Sequence, residues 1–334
     1  MTIHEIAAKL VLEGKGILAA DESNATCEKR FASIGVECTD ETRRAYRELL
    51  FTAPGIEEHL SGIILYDETI RQSASDGTPF HELLSAKDIL VGIKVDQGLE
   101  EDPGNPNGKV TKGVEGLAER LQEYKSLSAT FAKWRAVVNV NGGAGDNSTM
   151  ENASRLAKYA EVCHSKGIVP IIEPEVLIDG AHTAAEAEDA LVETLAVVFD
   201  AMDAKHIDLK GLILKTSMAV TGKNNPLKAE PQEVAERTVR ALKATVPNHL
   251  AGVVFLSGGQ SPEEATANLN AIARLEPIPW PLTFSFARAL QEPALSAWQG
   301  KEANVPQAQS AFASRLALVA LAQSGGYSKE MEAI

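Results

Sequence analysis

Eight short apolar runs separated by helical patterns predict a single-domain (β/α)8 barrel over residues 1–334. Three observations carry the prediction. The runs are near-continuous rather than alternating, as parallel strands covered on both faces should be. Helix-period apolar patterns stand between most of them. No Gly-rich dinucleotide fingerprint follows the first run, which counts against a doubly wound open sheet, the competing architecture. The length would also fit two domains, but no linker-like or low-complexity segment divides the chain.

The elements follow in order. An amphipathic pattern over 3–12 predicts an extra N-terminal helix. The first four strand candidates are 16–21 (GILAAD), 62–67 (GIILYD), 89–95 (ILVGIKV) and 133–139 (KWRAVVN). The last four are 168–173 (IVPIIE), 211–215 (GLILK), 252–257 (GVVFLS) and 282–286 (LTFSF). Val114, Leu117, Leu121, Tyr124 and Phe131 share a 3.6-residue period, as do Leu191, Leu195, Val198 and Met202. A helix over 150–166 ends at Gly167, a residue free to adopt the left-handed conformation of a helix stop. Ser261-Pro262-Glu263-Glu264 reads as a capping box with proline in the first turn. Further helical material follows residue 305, and about 325–334 reads as a short C-terminal tail.

Bulk chemistry narrows the function. At 44 % hydrophobic and 23 % charged residues the chain is globular in composition. A formal net charge of −14 repels nucleic acid and anionic membrane, so neither is expected as a partner. An anionic small molecule then needs a local cationic site. Cys27, Cys38 and Cys163 are odd in number and form no CxxC pair, which predicts a reduced, cytoplasmic protein. The histidines lack metal-ligand spacing, so no metal is expected. The N-terminus is not a signal peptide, and the longest apolar tract, 316–322, is too short to span a bilayer.

Ionisable residues occupy the strands where aliphatic side chains belong. Lys215 ends the sixth run, at the mouth of what should be a dry pocket. A free lysine titrates near 10.4, so a nucleophilic role toward carbonyls requires surroundings that favour the neutral amine. The alternative is a strand-end lysine whose ammonium reaches solvent. Asp21 ends the first run, Lys94 and Asp96 flank the end of the third, and Lys133 and Arg135 share one face of the fourth. Glu173 and Glu175 share a face at the end of the fifth. A buried unpaired charge is costly, so this many charges belong in one compensating cluster. Lys133 and Arg135 fall at the start of their run. Either that strand begins earlier, or these long side chains reach upward from mid-barrel.

Two anion sites are also legible. Leu256-Ser257-Gly258-Gly259-Gln260-Ser261 joins the seventh strand to a capped helix, where closely approaching amides bind phosphate. Arg288, just past the eighth strand, adds a bidentate contact. Lys94, Arg30, Ser23 and Thr26 form a weaker second signal near the first strand.

These segments, in this order, resemble the class I fructose-1,6-bisphosphate aldolases. The matching stretches are LAADES (18–23), GIKVDQG (92–98), FAKWR (131–135), GIVPIIEPE (167–175), LILK (212–215), LSGGQS (256–261) and FSFARALQ (284–291). The resemblance implies a TIM barrel and a metal-independent aldehyde-lyase without cofactor. Its reaction is reversible cleavage of fructose 1,6-bisphosphate to dihydroxyacetone phosphate and glyceraldehyde 3-phosphate. It implies that Lys215 forms the Schiff base and that Glu173 is the acid/base of carbinolamine dehydration, with Glu175 its carboxylate neighbour. Asp21 is implied for C–C cleavage, and Lys133 and Arg135 for charge balance along the substrate. Ser257, Gly258 and Arg288 match the ketone-side phosphate site; Ser23, Thr26, Arg30 and Lys94 look like the second one. Sugar phosphates are the implied partners, with a homo-oligomer, a tetramer, as the implied assembly.

The chain departs from the family pattern at four places. Ala287 stands where many members have glycine, and Thr216 where proline commonly follows the Schiff-base lysine. The 141–146 loop (NGGAGD) differs from the usual one. The chain stops at Ile334, whereas many members have a longer tail ending in a tyrosine that assists proton exchange at C3; nothing aligns Tyr327 with that role. Three competing readings remain: an aldolase preferring another ketose such as sedoheptulose 1,7-bisphosphate, a non-catalytic sugar-phosphate-binding barrel, and a metal-dependent lyase or isomerase.

Overall fold

The computed structural model describes residues 1–102, 104–140, 147–275 and 277–333, and the backbone alone at 106 and 107. The 141–146 loop and Ile334 lie outside the described residues. The eight barrel strands are β1 (Gly16–Ala20), β2 (Leu60–Leu65), β3 (Leu90–Lys94), β4 (Ala129–Val138), β5 (Val169–Val176), β6 (Ile213–Thr216), β7 (Gly252–Phe255) and β8 (Leu282–Phe286). They close in chain order, every neighbouring pair parallel, with β8 returning to β1. The predicted barrel is therefore the observed one.

Local chemistry explains the helices. Thr183 and Ser261 each close a reciprocal capping box, the latter with Pro262 in the first turn, as its sequence predicts. The helix Asn147–Ser165 stops before Gly167, whose φ of +67° suits glycine alone at little cost. The extra terminal helices are Ile3–Leu10 and Val305–Gln323.

Several boundaries differ from expectation. The helix expected from Val114 to Phe131 is shorter, Leu117–Ser126, and Phe131 belongs to β4. Its apolar side chain matched a helix period only because strand and helix both bury it. β5 runs on through Glu175 to Val176, and Gly211 lies in a 3-10 turn ahead of β6. An antiparallel hairpin, Leu99–Asp102 with Asn105–Thr111, was not foreseen. Its sequence is too polar to read as a strand pair.

The barrel interior is layered. Ile17, Ile64, Leu90, Phe131, Val169, Ile171, Ile213 and Val254 pack inside it, together with Ile6, Ala7, Leu10 and Val11 of the N-terminal helix. That helix closes the floor of the barrel. Phe131 is fully buried and fills the space left by two glycines: a Cβ on Gly92 would lie 2.2 Å from its ring, and one on Gly62 3.0 Å. Burying such a ring contributes about 1.5–3 kcal/mol. A second, larger cluster lies between the strands and the surrounding helices.

Candidate active site

The side-chain period of two lifts the strands from an apolar floor to an ionic ceiling. On β4, Phe131 is followed by Lys133 and Arg135 on the same face; on β5, Ile171 by Glu173 and Glu175; on β6, Ile213 by Lys215. Register aligns Lys94 with Lys133 across β3 and β4, and Arg135 with Glu173 across β4 and β5. The position of Lys133 is thereby resolved. β4 begins at Ala129, four residues earlier than expected, so Lys133 sits within the strand and level with the end of β3.

The charges form one network. Lys133 Nζ lies 2.8 Å from Asp21 Oδ2, 3.0 Å from Glu173 Oε2 and 4.0 Å from Asp96 Oδ2. Lys215 Nζ lies 3.0 Å from Glu173 Oε1. The Lys133–Glu173 approach is coulombic, since Glu173 Oε2 has no aligned hydrogen bond. Lys94 Nζ donates to Asp96 Oδ1 at 2.6 Å and to its carbonyl at 2.9 Å. Arg135 Nε donates to Glu175 Oε2 at 2.5 Å. The cations Lys94, Lys133, Arg135 and Lys215 thus face the anions Asp21, Asp96, Glu173 and Glu175 in equal number. Lys133, Lys215, Asp21 and Glu173 are all buried.

Electrostatics follows from this packing. Burial pushes the Asp21 carboxyl up, but Lys133, Lys215 and Lys94 outweigh it and hold Asp21 well below the usual carboxylate range. Burial likewise opposes charge on Glu173, and Lys133, Lys215 and Arg135 override it, lowering its pKa. Burial disfavours the Lys133 ammonium, yet Asp21, Glu173 and Asp96 raise its pKa above that of an ordinary lysine.

A cavity of about 1230 Å³ opens over this network. It is lined by every residue expected at the site: Asp21, Ser23, Thr26, Arg30, Lys94, Lys133, Arg135, Glu173, Glu175, Lys215, Ser257, Gly258 and Arg288. The turn after β7 is shaped by glycine. Gly259 has φ +78°, and a Cβ there would lie 2.5 Å from Ile178 Cγ2. A Cβ on Gly258 would lie 2.7 Å from Leu256 Cδ1. Arg288 opens the helix Arg288–Trp298, and its Nη2 donates to the Gln260 carbonyl at 3.2 Å, tying the two predicted halves of this anion site together. Ala287 has φ −102°, a conformation that does not call for glycine. Thr216 is buried at the end of β6, and its carbonyl accepts from the Leu256 amide at 3.0 Å, a bond that the absence of proline does not alter.

The second predicted cluster is partly spoken for. Ser23 Oγ and Thr26 Oγ1 lie 3.2 Å apart. Arg30 pairs with Glu22, whose other oxygen takes Arg47 Nη2 at 2.6 Å. Gln291 Nε2 also donates to Glu22 Oε1 at 2.9 Å. Sequence reasoning did not place Glu22, Arg47, Gln291 or Tyr66 near the site. Asp96 it noted only as a strand-end charge, although its Oδ2 also accepts from the Arg135 amide at 3.3 Å. The i, i+2 charge pattern around Lys94 was the available signal for Asp96. Tyr327 is buried away from the cavity lining and donates to Glu332 Oε1 at 2.8 Å. Among the described residues no group of three His, Cys, Asp or Glu is arranged to hold a metal ion, and no helix is long and apolar enough to cross a membrane.

A sequence model of the family described as fructose-bisphosphate aldolase class-I matches residues 2–334. The chain belongs to the class I fructose-bisphosphate aldolase family. Relatives within it include the fructose-bisphosphate aldolase of Dictyostelium discoideum, 47 % identical over 97 % of this chain and 92 % of the relative. Fructose-bisphosphate aldolase 5, cytosolic, of Arabidopsis thaliana is 49 % identical over 92 % of this chain and 87 % of its own. A co-crystal structure of fructose-bisphosphate aldolase from Plasmodium falciparum, in complex with TRAP and a small-molecule inhibitor, superimposes with a TM-score of 0.95. It is 45 % identical and covers 98 % of this chain and 95 % of its own.

Proposed function

We propose that this chain reversibly cleaves fructose 1,6-bisphosphate through a Schiff base on Lys215. The observation that carries the reading is the buried Lys215–Glu173 pair at 3.0 Å in a family whose members are named for this reaction. Glu173 is the nearest acceptor for the proton that Lys215 must lose before its lone pair attacks the C2 carbonyl. The same carboxyl then protonates the carbinolamine hydroxyl, water leaves, and an iminium forms. Lys133 compensates charge as Glu173 gains and loses its proton, so these groups titrate as a set.

Asp21, ionised beside Lys133, takes the C4 hydroxyl proton. The C3–C4 bond breaks, its electron pair moves into the iminium to give an enamine, and glyceraldehyde 3-phosphate leaves. Protonation at C3 and hydrolysis of the regenerated iminium release dihydroxyacetone phosphate and free Lys215. Glu175 and Arg135 pair beside Glu173 and line the substrate. The Ser257–Gly258 amides and Arg288 hold the ketone-side phosphate; Ser23, Thr26, Arg30 and Lys94 hold the distal one. A homo-oligomer, a tetramer, fits the family resemblance, and a cytoplasmic location fits the cytosolic Arabidopsis relative.

The Lys215–Glu173 contact, joined to Asp21 through Lys133, favours this over a non-catalytic barrel. Purified protein incubated with fructose 1,6-bisphosphate and EDTA tests the reading. Release of both triose phosphates is expected. No release in EDTA, restored by zinc, would instead support a metal-dependent lyase. Relative turnover of sedoheptulose 1,7-bisphosphate measures the preference between ketoses.

A further inference from the structure

Tyr66 is an aromatic residue on the inner face of the barrel that none of the steps above uses. It follows β2 directly, and two residues before it Ile64 points into the barrel interior. The side-chain period of two therefore turns Tyr66 inward as well, and it lines the catalytic cavity. Its place in the sheet is specific. Ala20 pairs with Leu65 across β1 and β2, and Leu65 pairs with Ile93 across β2 and β3. One step further up, Tyr66 stands between Asp21 on one side and Lys94 on the other. Ser23 and Thr26, which follow Asp21, line the same cavity.

Several polar groups in this quarter are already engaged. Lys94 is held by Asp96, and Arg30 by Glu22. The second tyrosine of the lining, Tyr124, donates its hydroxyl to Asp67 Oδ1 at 2.9 Å. Tyr66 is half-buried, and its hydroxyl makes no hydrogen bond to any described residue. Burial, with Asp67 and Glu68 nearby, raises its pKa, so the phenol stays a neutral donor across physiological pH.

We infer that Tyr66 is a specificity-determining residue, its hydroxyl donating a hydrogen bond to the phosphate on the aldehyde half of the substrate. The inference rests on the proposed aldolase reading. A neutral donor there adds affinity for a substrate phosphorylated at both ends without disturbing the ion balance of the Lys133 network. It has no partner on a substrate whose aldehyde half lacks phosphate.

The test is Tyr66→Phe, which keeps the ring and removes only the hydroxyl. The quantity read is the ratio of kcat/KM for fructose 1,6-bisphosphate to that for fructose 1-phosphate. One hydrogen bond to a charged group predicts a fall in this ratio of about tenfold to a hundredfold. A fall smaller than about tenfold, including equal losses with both substrates, overturns the inference. Borohydride trapping of dihydroxyacetone phosphate on the variant separates the two levels of the argument. A trapped Lys215 adduct with an unchanged ratio sinks only the role of Tyr66, whereas loss of trapping in the unaltered protein sinks the aldolase reading itself.

Discussion

Lys215 meets Glu173 at 3.0 Å, Nζ to Oε1, and each side chain is only 5 % exposed. The other oxygen of that carboxylate faces Lys133 at the same distance. One buried carboxyl therefore communicates with both the proposed nucleophile, Lys215, and the cation that neutralises Asp21.

Removal of Lys133 tests this arrangement. Lys133→Met leaves Asp21 and Glu173 without their shared ammonium, two carboxylates in a buried site. kcat for fructose 1,6-bisphosphate should fall by roughly 10²–10⁴-fold, and steady-state kinetics check it. Retention of wild-type kcat would remove Lys133 from the mechanism.

Stability should depend on pH with a defined sign. Asp21 and Glu173 have folded-state pKa values below their unfolded ones. Their contribution is complete above the unfolded carboxylate values of about 3.9 and 4.3, and is lost as pH falls through the folded values. Lys133 is shifted the other way, so its contribution is complete below about 10.4 and is lost as pH rises through its raised folded value. Urea midpoints measured from pH 5 down to pH 2 should fall, and Asp21→Asn should flatten that slope. An unchanged slope in the variant would show that Asp21 is not held in its ionised form by folding.

The turn after β7 predicts a local failure. Gly259→Ala places a methyl in a left-handed backbone, 2.5 Å from Ile178 Cγ2. The expected loss is about 1–3 kcal/mol of stability, together with weaker binding of dihydroxyacetone phosphate. Denaturant unfolding and inhibitor titration read the two effects. A variant as stable as the parent would show that the turn adapts.

Arg288→Ala isolates the ketone-side phosphate. Affinity for dihydroxyacetone phosphate should drop by about tenfold to a hundredfold, the worth of a charge-assisted hydrogen bond. Unphosphorylated dihydroxyacetone should lose little. Equal losses for both would mean that Arg288 does not touch the phosphate.

The sequence disclosed the barrel and most of its ionic ceiling, because charges in apolar strands have few structural explanations. Lys215 and Glu173 stood out for that reason. The extent of β4 was hidden, since Lys133 and Arg135 interrupt the apolar run that would have marked its start at Ala129. The hairpin Leu99–Asp102/Asn105–Thr111 was hidden by its polar composition, which reads as loop. Glu22, Arg47 and Gln291 were invisible together. Their meeting depends on how the helix Asp40–Phe51 and the helix Arg288–Trp298 pack against the end of β1, which is a tertiary fact. Tyr66 carried no signal of its own in the sequence; the pairing of Leu65 with Ala20 and Ile93 sets it one step above them, on the cavity lining.

Covalent capture of the imine tests the central claim most directly. Dihydroxyacetone phosphate and borohydride, followed by peptide mass mapping, should place one reduced adduct on Lys215 and none anywhere in Lys215→Ala. An adduct on another lysine, or labelling that persists in Lys215→Ala, would contradict the assignment.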